Sequence, residues 1–79
     1  MKEIDVDKWY GINLPRPIET AVALWCLDTI GWGQEIEHKR NSTVLLDDNS
    51  VWFFEIWYGH YTFYFETEAA RNWFALRFS

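Results

Sequence analysis

The stretch Val51–Glu66, Val-Trp-Phe-Phe-Glu-Ile-Trp-Tyr-Gly-His-Tyr-Thr-Phe-Tyr-Phe-Glu, constrains the fold more than any other part of this chain. Aromatic and β-branched residues fill both halves, as strands favour, so it reads as a β-hairpin. Gly59-His60 suits a two-residue type II′ turn, which needs positive φ at its first central position. That turn sets Tyr58 opposite Tyr61, Ile56 opposite Phe63, Phe54 opposite Phe65 and Trp52 opposite Thr67. Side chains alternate with a period of two. One face then carries Trp52, Phe54, Ile56, Tyr58, Tyr61, Phe63 and Phe65, with no charge, and reads as core. The other carries Val51, Phe53, Glu55, Trp57, Thr62, Tyr64 and Glu66, and reads as an acidic, aromatic, solvent-facing surface.

Residues 3–7 alternate polar and apolar, as an edge strand does, although a frayed terminus has the same look. After the loop with Pro15 and Pro17, a first helix is expected from Pro17, a residue favoured at the first helical position. Ile18, Val22, Trp25 and Thr29 make its stripe, widened by Ala21, Leu24 and Leu27. The unbroken apolar run Ala21–Leu27 predicts cover on most sides. Gly31 reads as the glycine that ends the helix. Residues 34–40 alternate like an exposed strand, Thr43–Leu46 like a short buried one, and Asp47–Ser50 is a turn. Residues 34–66 therefore read as an antiparallel meander. Thr67 is a good N-cap for a last helix over Glu68–Arg77, with Ala70, Trp73, Phe74 and Arg77 on one face. The expected fold is α+β: an antiparallel meander of three or four strands with both helices on its uncharged face. The alternative is three layers with one helix on each face, which would make Phe53, Trp57 and Tyr64 core.

The chain has 79 residues and reads as one domain over 1–79. At this size folding buries only about 60% of the unfolded surface, so the aromatic residues must supply much of the stability. Cys26 is the only cysteine, which excludes an internal disulfide and fits a reducing compartment. No secretion signal or membrane-length apolar run is evident, so a cytoplasmic protein without membrane contact is expected. The net charge of −5 argues against direct nucleic-acid binding and suits a basic partner surface.

Chemistry-bearing motifs are sparse. Cys26, His38 and His60 show no zinc-ligand spacing, and Cys26 sits among apolar helix residues like a small hydrophobe. Neither histidine has a visible partner to make it a general base. Asp47-Asp48-Asn49 lacks the glycine and distal glutamate of a calcium loop and reads as turn chemistry. Asn41-Ser42-Thr43 matches a glycosylation acceptor only by pattern. Glu55 and Glu66 share a hairpin face as a possible acid/base pair, but a solvated face explains them as well. No catalytic residue, metal or cofactor is assigned, and the expectation is a protein that is not an enzyme. The candidate partner-binding residues are Phe53, Glu55, Trp57, Tyr64 and Glu66, because exposed aromatic patches mark contact surfaces. A homodimer formed through the same sheet face is the alternative use of these residues.

The segment Tyr61–Ser79 runs from a strand through an acidic capped helix to a Phe-x-Leu-Arg-aromatic ending, formed by Phe74, Leu76, Arg77 and Phe78. It resembles the end of small accessory and host-takeover proteins of tailed phages. The resemblance implies a phage-encoded inhibitor or modulator of a host protein, such as a defence nuclease, acting in the host cytoplasm. It includes no active-site residues, so none is carried over.

Overall fold

The computed structural model describes residues 1–14, 20–37, 42–57 and 60–78, with backbone alone at Glu37 and Trp57. The elements in chain order are β1 (Lys2–Asp5), a 3₁₀ turn (Val6–Lys8), β2 (Tyr10–Leu14), α1 (Thr20–Thr29), β3 (Gly33–Glu37), β4 (Thr43–Leu46), β5 (Trp52–Trp57), β6 (His60–Phe65) and α2 (Glu68–Phe78). Pro17, Ile18, Glu19, His38, Asn41, Tyr58 and Gly59 lie outside the described residues.

The architecture is α+β, but the strands do not form one meander. A four-stranded sheet has the order β2-β6-β5-β3, and β1 pairs with β4 in a separate ribbon. β3 runs parallel to β5, while β2–β6, β5–β6 and β1–β4 are antiparallel. The hairpin is present with a register two residues from the expected one: Trp52 faces Phe65, Phe54 faces Phe63, and Trp57 faces His60. His60 is therefore a strand residue. A slip of two leaves every side chain on its original face, because the side-chain period is two. The sorting of the two faces survives for that reason within β5 and β6, whereas Val51, placed before β5, packs against the helical-side core and not on the expected outer face.

On the uncharged face, Trp52, Phe54, Phe63 and Phe65 form one core with Leu14, Val22, Cys26 and Phe74. Both helices pack there. Phe74 of α2 lies 4.7 Å from the Phe63 ring and 5.2 Å from Phe65, centroid to centroid. Trp25 of α1 meets Phe74 and Phe78 edge-on at 6.2 and 5.3 Å. The other face is also covered, by the ribbon. Val44, Leu46 and Phe53 form a second core with Ile4, Val6, Trp9, Ile36 and Tyr64 around it. The molecule thus has three layers, but the third is a ribbon and not a helix.

Local chemistry fixes the joints. The Cys26 carbonyl accepts from the amides of Ile30 (2.9 Å) and Gly31 (3.0 Å), and Gly31 turns the chain out of α1 with φ +142°. The 47–50 turn closes with Ser50 N–H donating to the Asp47 carbonyl at 3.0 Å and Asn49 N–H to Asp47 Oδ1 at 3.2 Å. Gln34 Oε1 accepts from both Asp47 N–H (2.9 Å) and the buried Ser50 hydroxyl (2.8 Å), which ties the turn to β3. These bonds make Asp47-Asp48-Asn49 a turn, as its residue types indicate. Thr67 Oγ1 accepts from Ala70 N–H at 3.2 Å, the expected N-cap of α2.

α1 differs from the expectation of near-complete cover. Val22 and Cys26 are buried, but Leu24 is 57% and Leu27 40% exposed. The helix lies on the sheet as an outer layer, so only one side of an apolar run finds a partner.

Trp52 is the tightest joint. Its Nε1–H donates to the Gly31 carbonyl at 2.8 Å, and its ring lies flat on Gly33, where an added Cβ would stand 2.0 Å from Cδ2 and Cε2. Gly33→Ala is expected to destabilise the fold by about 1–3 kcal/mol or more through overpacking. A drop in Tm of at least several degrees in thermal melts checks this; an unchanged Tm would show that the indole moves freely.

Candidate functional site

The expected working face of the hairpin is only partly open. Phe53 is fully buried beneath the ribbon and is corrected from surface to core. It stacks on Tyr64 at 4.8 Å and 19° and meets Trp9 at 5.4 Å and 50°. The cause is the alternation in the ribbon: Ile4 pairs with Val44, and these residues and Leu46 supply the apolar lid that the Phe53 side of the sheet needs. Tyr64 is half-buried, and its hydroxyl donates to Glu55 Oε1 at 3.2 Å. Opposite it, Gly11 leaves room for the phenol ring, since a Cβ there would be 3.1 Å from Tyr64 Cε1. Trp57 has a described backbone at the end of β5, and its side chain lies outside the description.

Glu66 stands apart, exposed just beyond β6, with Lys2 Nζ at 3.5 Å. The same ammonium sits 5.7 Å from the Trp9 ring centroid. Glu55 pairs with Thr62 across the hairpin, four residues short of Glu66. At about 3.3 Å per residue the two glutamates are roughly 13 Å apart along the strand. That exceeds the spacing of an acid/base carboxylate pair. The structure therefore gathers Phe53, Glu55 and Tyr64 into one cluster and leaves Glu66 outside it.

Burial pushes the Cys26 thiol up to about 12, from 9.0. Such a thiol is neither a nucleophile nor a ready ligand at neutral pH. Among the described residues, no three His, Cys, Asp or Glu side chains come close enough to hold a metal ion. No described helix is long and apolar enough to cross a membrane.

The opening that sequence reading missed lies on the helical side. A groove of about 280 Å³ runs between the end of α1 and the start of α2. Ile30, Val51 and Ala70 give it apolar surface, Trp73 and Ala69 form the α2 wall, and Thr29, Thr67 and Glu66 complete the lining. Trp73 is 58% exposed, although it shares a helix face with the buried Phe74 in the sequence pattern. The cause is position on the helix: Phe74 points at the Phe63–Phe65 rings, and Trp73, about 100° around the helix, is turned away from them. The signal in the sequence is Ala69-Ala70 one turn before Trp73, two small residues that leave a notch beside a large ring.

Comparison with protein-family models, with curated proteins and with solved structures finds no match.

Two groups make the fold sensitive to alkali. Tyr64 is raised from 10.0 to about 12, chiefly by burial, then by the charge of Glu55, its hydrogen bond to Glu55 and the charge of Asp7. Cys26 moves the same way. Both hold their protons in the folded state while the unfolded chain releases them, so the stability they contribute is intact below about pH 9 and lost as pH rises towards 12. Denaturant midpoints are expected to fall across that window, and the Cys26 thiol is expected to resist alkylation at pH 8 until the chain is unfolded. Rapid alkylation of the native protein would contradict the burial of α1 on the sheet.

Proposed function

We propose that this chain is a non-enzymatic protein-binding module and that its working surface is the outer side of the helical layer. The carrying observation is the exposure there of large apolar side chains: Leu24 at 57%, Trp73 at 58% and Leu76 at 84%, with Leu27 at 40%. Exposed apolar groups gathered on one layer mark contact surfaces more often than chance. Aromatic anchors such as Trp73 are the residues that most often dominate binding energy.

The charge supports a basic partner. Glu3, Asp5, Asp7, Asp47 and Asp48 lie on or beside the ribbon, on the sheet face away from the helical layer, so they act through the net charge of −5 on encounter and do not line the contact. The summed field draws a positive surface and speeds encounter. In this reading the partner is a host protein that handles nucleic acid, and the chain is a phage-encoded inhibitor that the partner's positive field draws in and the apolar helical layer holds. The likeness of Tyr61–Ser79 to the ends of phage accessory proteins supports that identity.

Affinity capture from a bacterial lysate tests the reading, with wild type beside a Trp73→Ala/Leu76→Ser double variant whose circular dichroism is unchanged. A protein retained by wild type and lost with the variant is expected, with retention weakening as salt is raised. Equal retention by both would remove the helical layer as the working surface; no retained protein would remove the binding reading.

A further inference from the structure

We propose that the outer edge of β2 pairs with β2 of a second copy of this chain, joining two four-stranded sheets into one continuous sheet. The inference concerns a strand edge and stands independently of the binding reading above.

Hydrogen-bond parity identifies the free groups. Glu66 N–H donates to the Val51 carbonyl at 3.0 Å. Opposed residues of an antiparallel pair alternate between bonded and non-bonded positions. With Trp52 opposite Phe65, the positions of β6 that bond β5 are therefore Tyr64, Thr62 and His60. Phe65, Phe63 and Tyr61 turn their backbone groups the other way and bond Tyr10, Ile12 and Leu14 of β2. Gly11 and Asn13 are left with amide and carbonyl directed out of the sheet. Both residues are exposed, and no described residue supplies a backbone partner for these groups.

Reciprocity selects the occupant. Two antiparallel copies of β2 with Ile12 opposite Ile12 set Gly11 of each against Asn13 of the other. In that register every outward N–H meets an outward carbonyl, about a two-fold axis normal to the sheet. Ile12 and Leu14 lie on the helical face, and so by alternation does Tyr10. Tyr10 then stands opposite Leu14, and Ile12 beside its copy, as apolar cross-strand pairs. On the other face Asn13 comes beside Gly11, which has no side chain to obstruct it.

Charge separates this edge from the others. β2 is Tyr-Gly-Ile-Asn-Leu, without a charged residue. β1 carries Lys2, Glu3 and Asp5, and β3 carries Glu35 and Glu37. β4 is uncharged but has only four residues and runs into Asp47 and Asp48. Charged side chains are the usual guard of an open strand edge. The β3 edges at the two ends of the joined sheet keep that guard, so pairing stops at two copies. The net charge of −5 on each copy opposes the encounter at long range, and salt relieves that opposition. The two-fold axis leaves both helical layers on the same side of the joined sheet.

Amide hydrogen exchange and sedimentation of the full chain test the proposal. A five-residue edge is small for an interface, so a dissociation constant of about 0.1–1 mM is expected. At about 20 µM the Gly11 and Asn13 amides are expected to exchange fast and Ile12 slowly; at about 2 mM, Gly11 and Asn13 gain protection at least severalfold while the mass doubles. Added salt should strengthen the pairing, the opposite of its effect on a basic host partner. Asn13→Pro removes an outward N–H at an edge position that tolerates proline, and should abolish association with circular dichroism unchanged. An N-methyl group on Asn13 in a synthetic chain should do the same while keeping the 2.7 Å bond from the Thr62 hydroxyl to the Asn13 side chain.

Unchanged exchange at Gly11 and Asn13 across the concentration range overturns the proposal, as does association that survives N-methylation. Protection gained in Thr43–Leu46 instead overturns it and assigns the pairing to the ribbon edge. Concentration-dependent shifts confined to Leu24 and Trp73 overturn it and assign self-association to the helical layer. Protection of Gly11 and Asn13 only in the presence of a captured host protein overturns it and gives the edge to a foreign strand. The two readings fail separately, since a dimer without a captured partner removes the binding module alone, and a captured partner without a dimer removes the edge pairing alone.

Discussion

The indole of Trp52 lying on the bare backbone of Gly33 is the contact from which the topology follows. Gly33 and Trp52 are partners in the parallel β3–β5 pair, and the ring occupies the space a Cβ would fill. Its N–H holds the Gly31 carbonyl, and Val51 N–H holds the Trp32 carbonyl at 2.8 Å. The start of β5 is thereby fastened to the exit of α1. A strand leaving that exit beside β5 must run in the same direction as β5. Parallel neighbours need a crossover. The chain must travel back to its starting end, and β4 makes that return on the opposite face, where β1 pairs with it. Gln34 then clamps the 47–50 turn that delivers the chain to Trp52.

That sequence of constraints separates what was legible in the residues from what was not. The α+β class, the uncharged face with both helices on it, the turn at 47–50, the glycine at 31 and the cap at Thr67 each rest on a local rule with a local cause. The strand order does not. Thr43–Leu46 has four residues, and a short apolar strand looks the same whether it pairs inside the main sheet or in a ribbon above it. Gly31-Trp32-Gly33 reads as a helix terminator, and only the register shows that Gly33 is also a seat for a ring. The hairpin register differs from the expected one by two, because a glycine signals a turn without fixing the register of the strands that flank it. Face assignments tolerate that error; distances along the strand do not, which is why Glu55 and Glu66 fall so far apart.

The candidate site was harder to read than the fold for a related reason. Three aromatic residues and two carboxylates on one strand face look like a contact surface when the cover is unseen. The cover comes from β1 and β4, which are distant in sequence from each other and from the hairpin. Phe53 is core because Ile4, Val44 and Leu46 meet above it. On the helices the opposite happens. A run such as Ala21–Leu27 is apolar on every side, so its periodicity cannot say which side remains bare.

The bare side is costly for a small domain. Burying a leucine or an aromatic side chain is worth about 1.5–3 kcal/mol. Net stabilities of such domains are only about 5–15 kcal/mol. Leu24, Trp73 and Leu76 contribute only part of what full burial would give, since more than half of each is in water. The main anchors of the helices lie elsewhere: α2 is held by its Thr67 cap and by Phe74, and α1 by Val22, Cys26 and Trp25. The exposed part of each of these side chains adds nothing to the fold, while it lowers solubility. In the proposed binding role a partner surface would cover them, and the small residues beside Trp73 shape a groove on the described part of the helical layer.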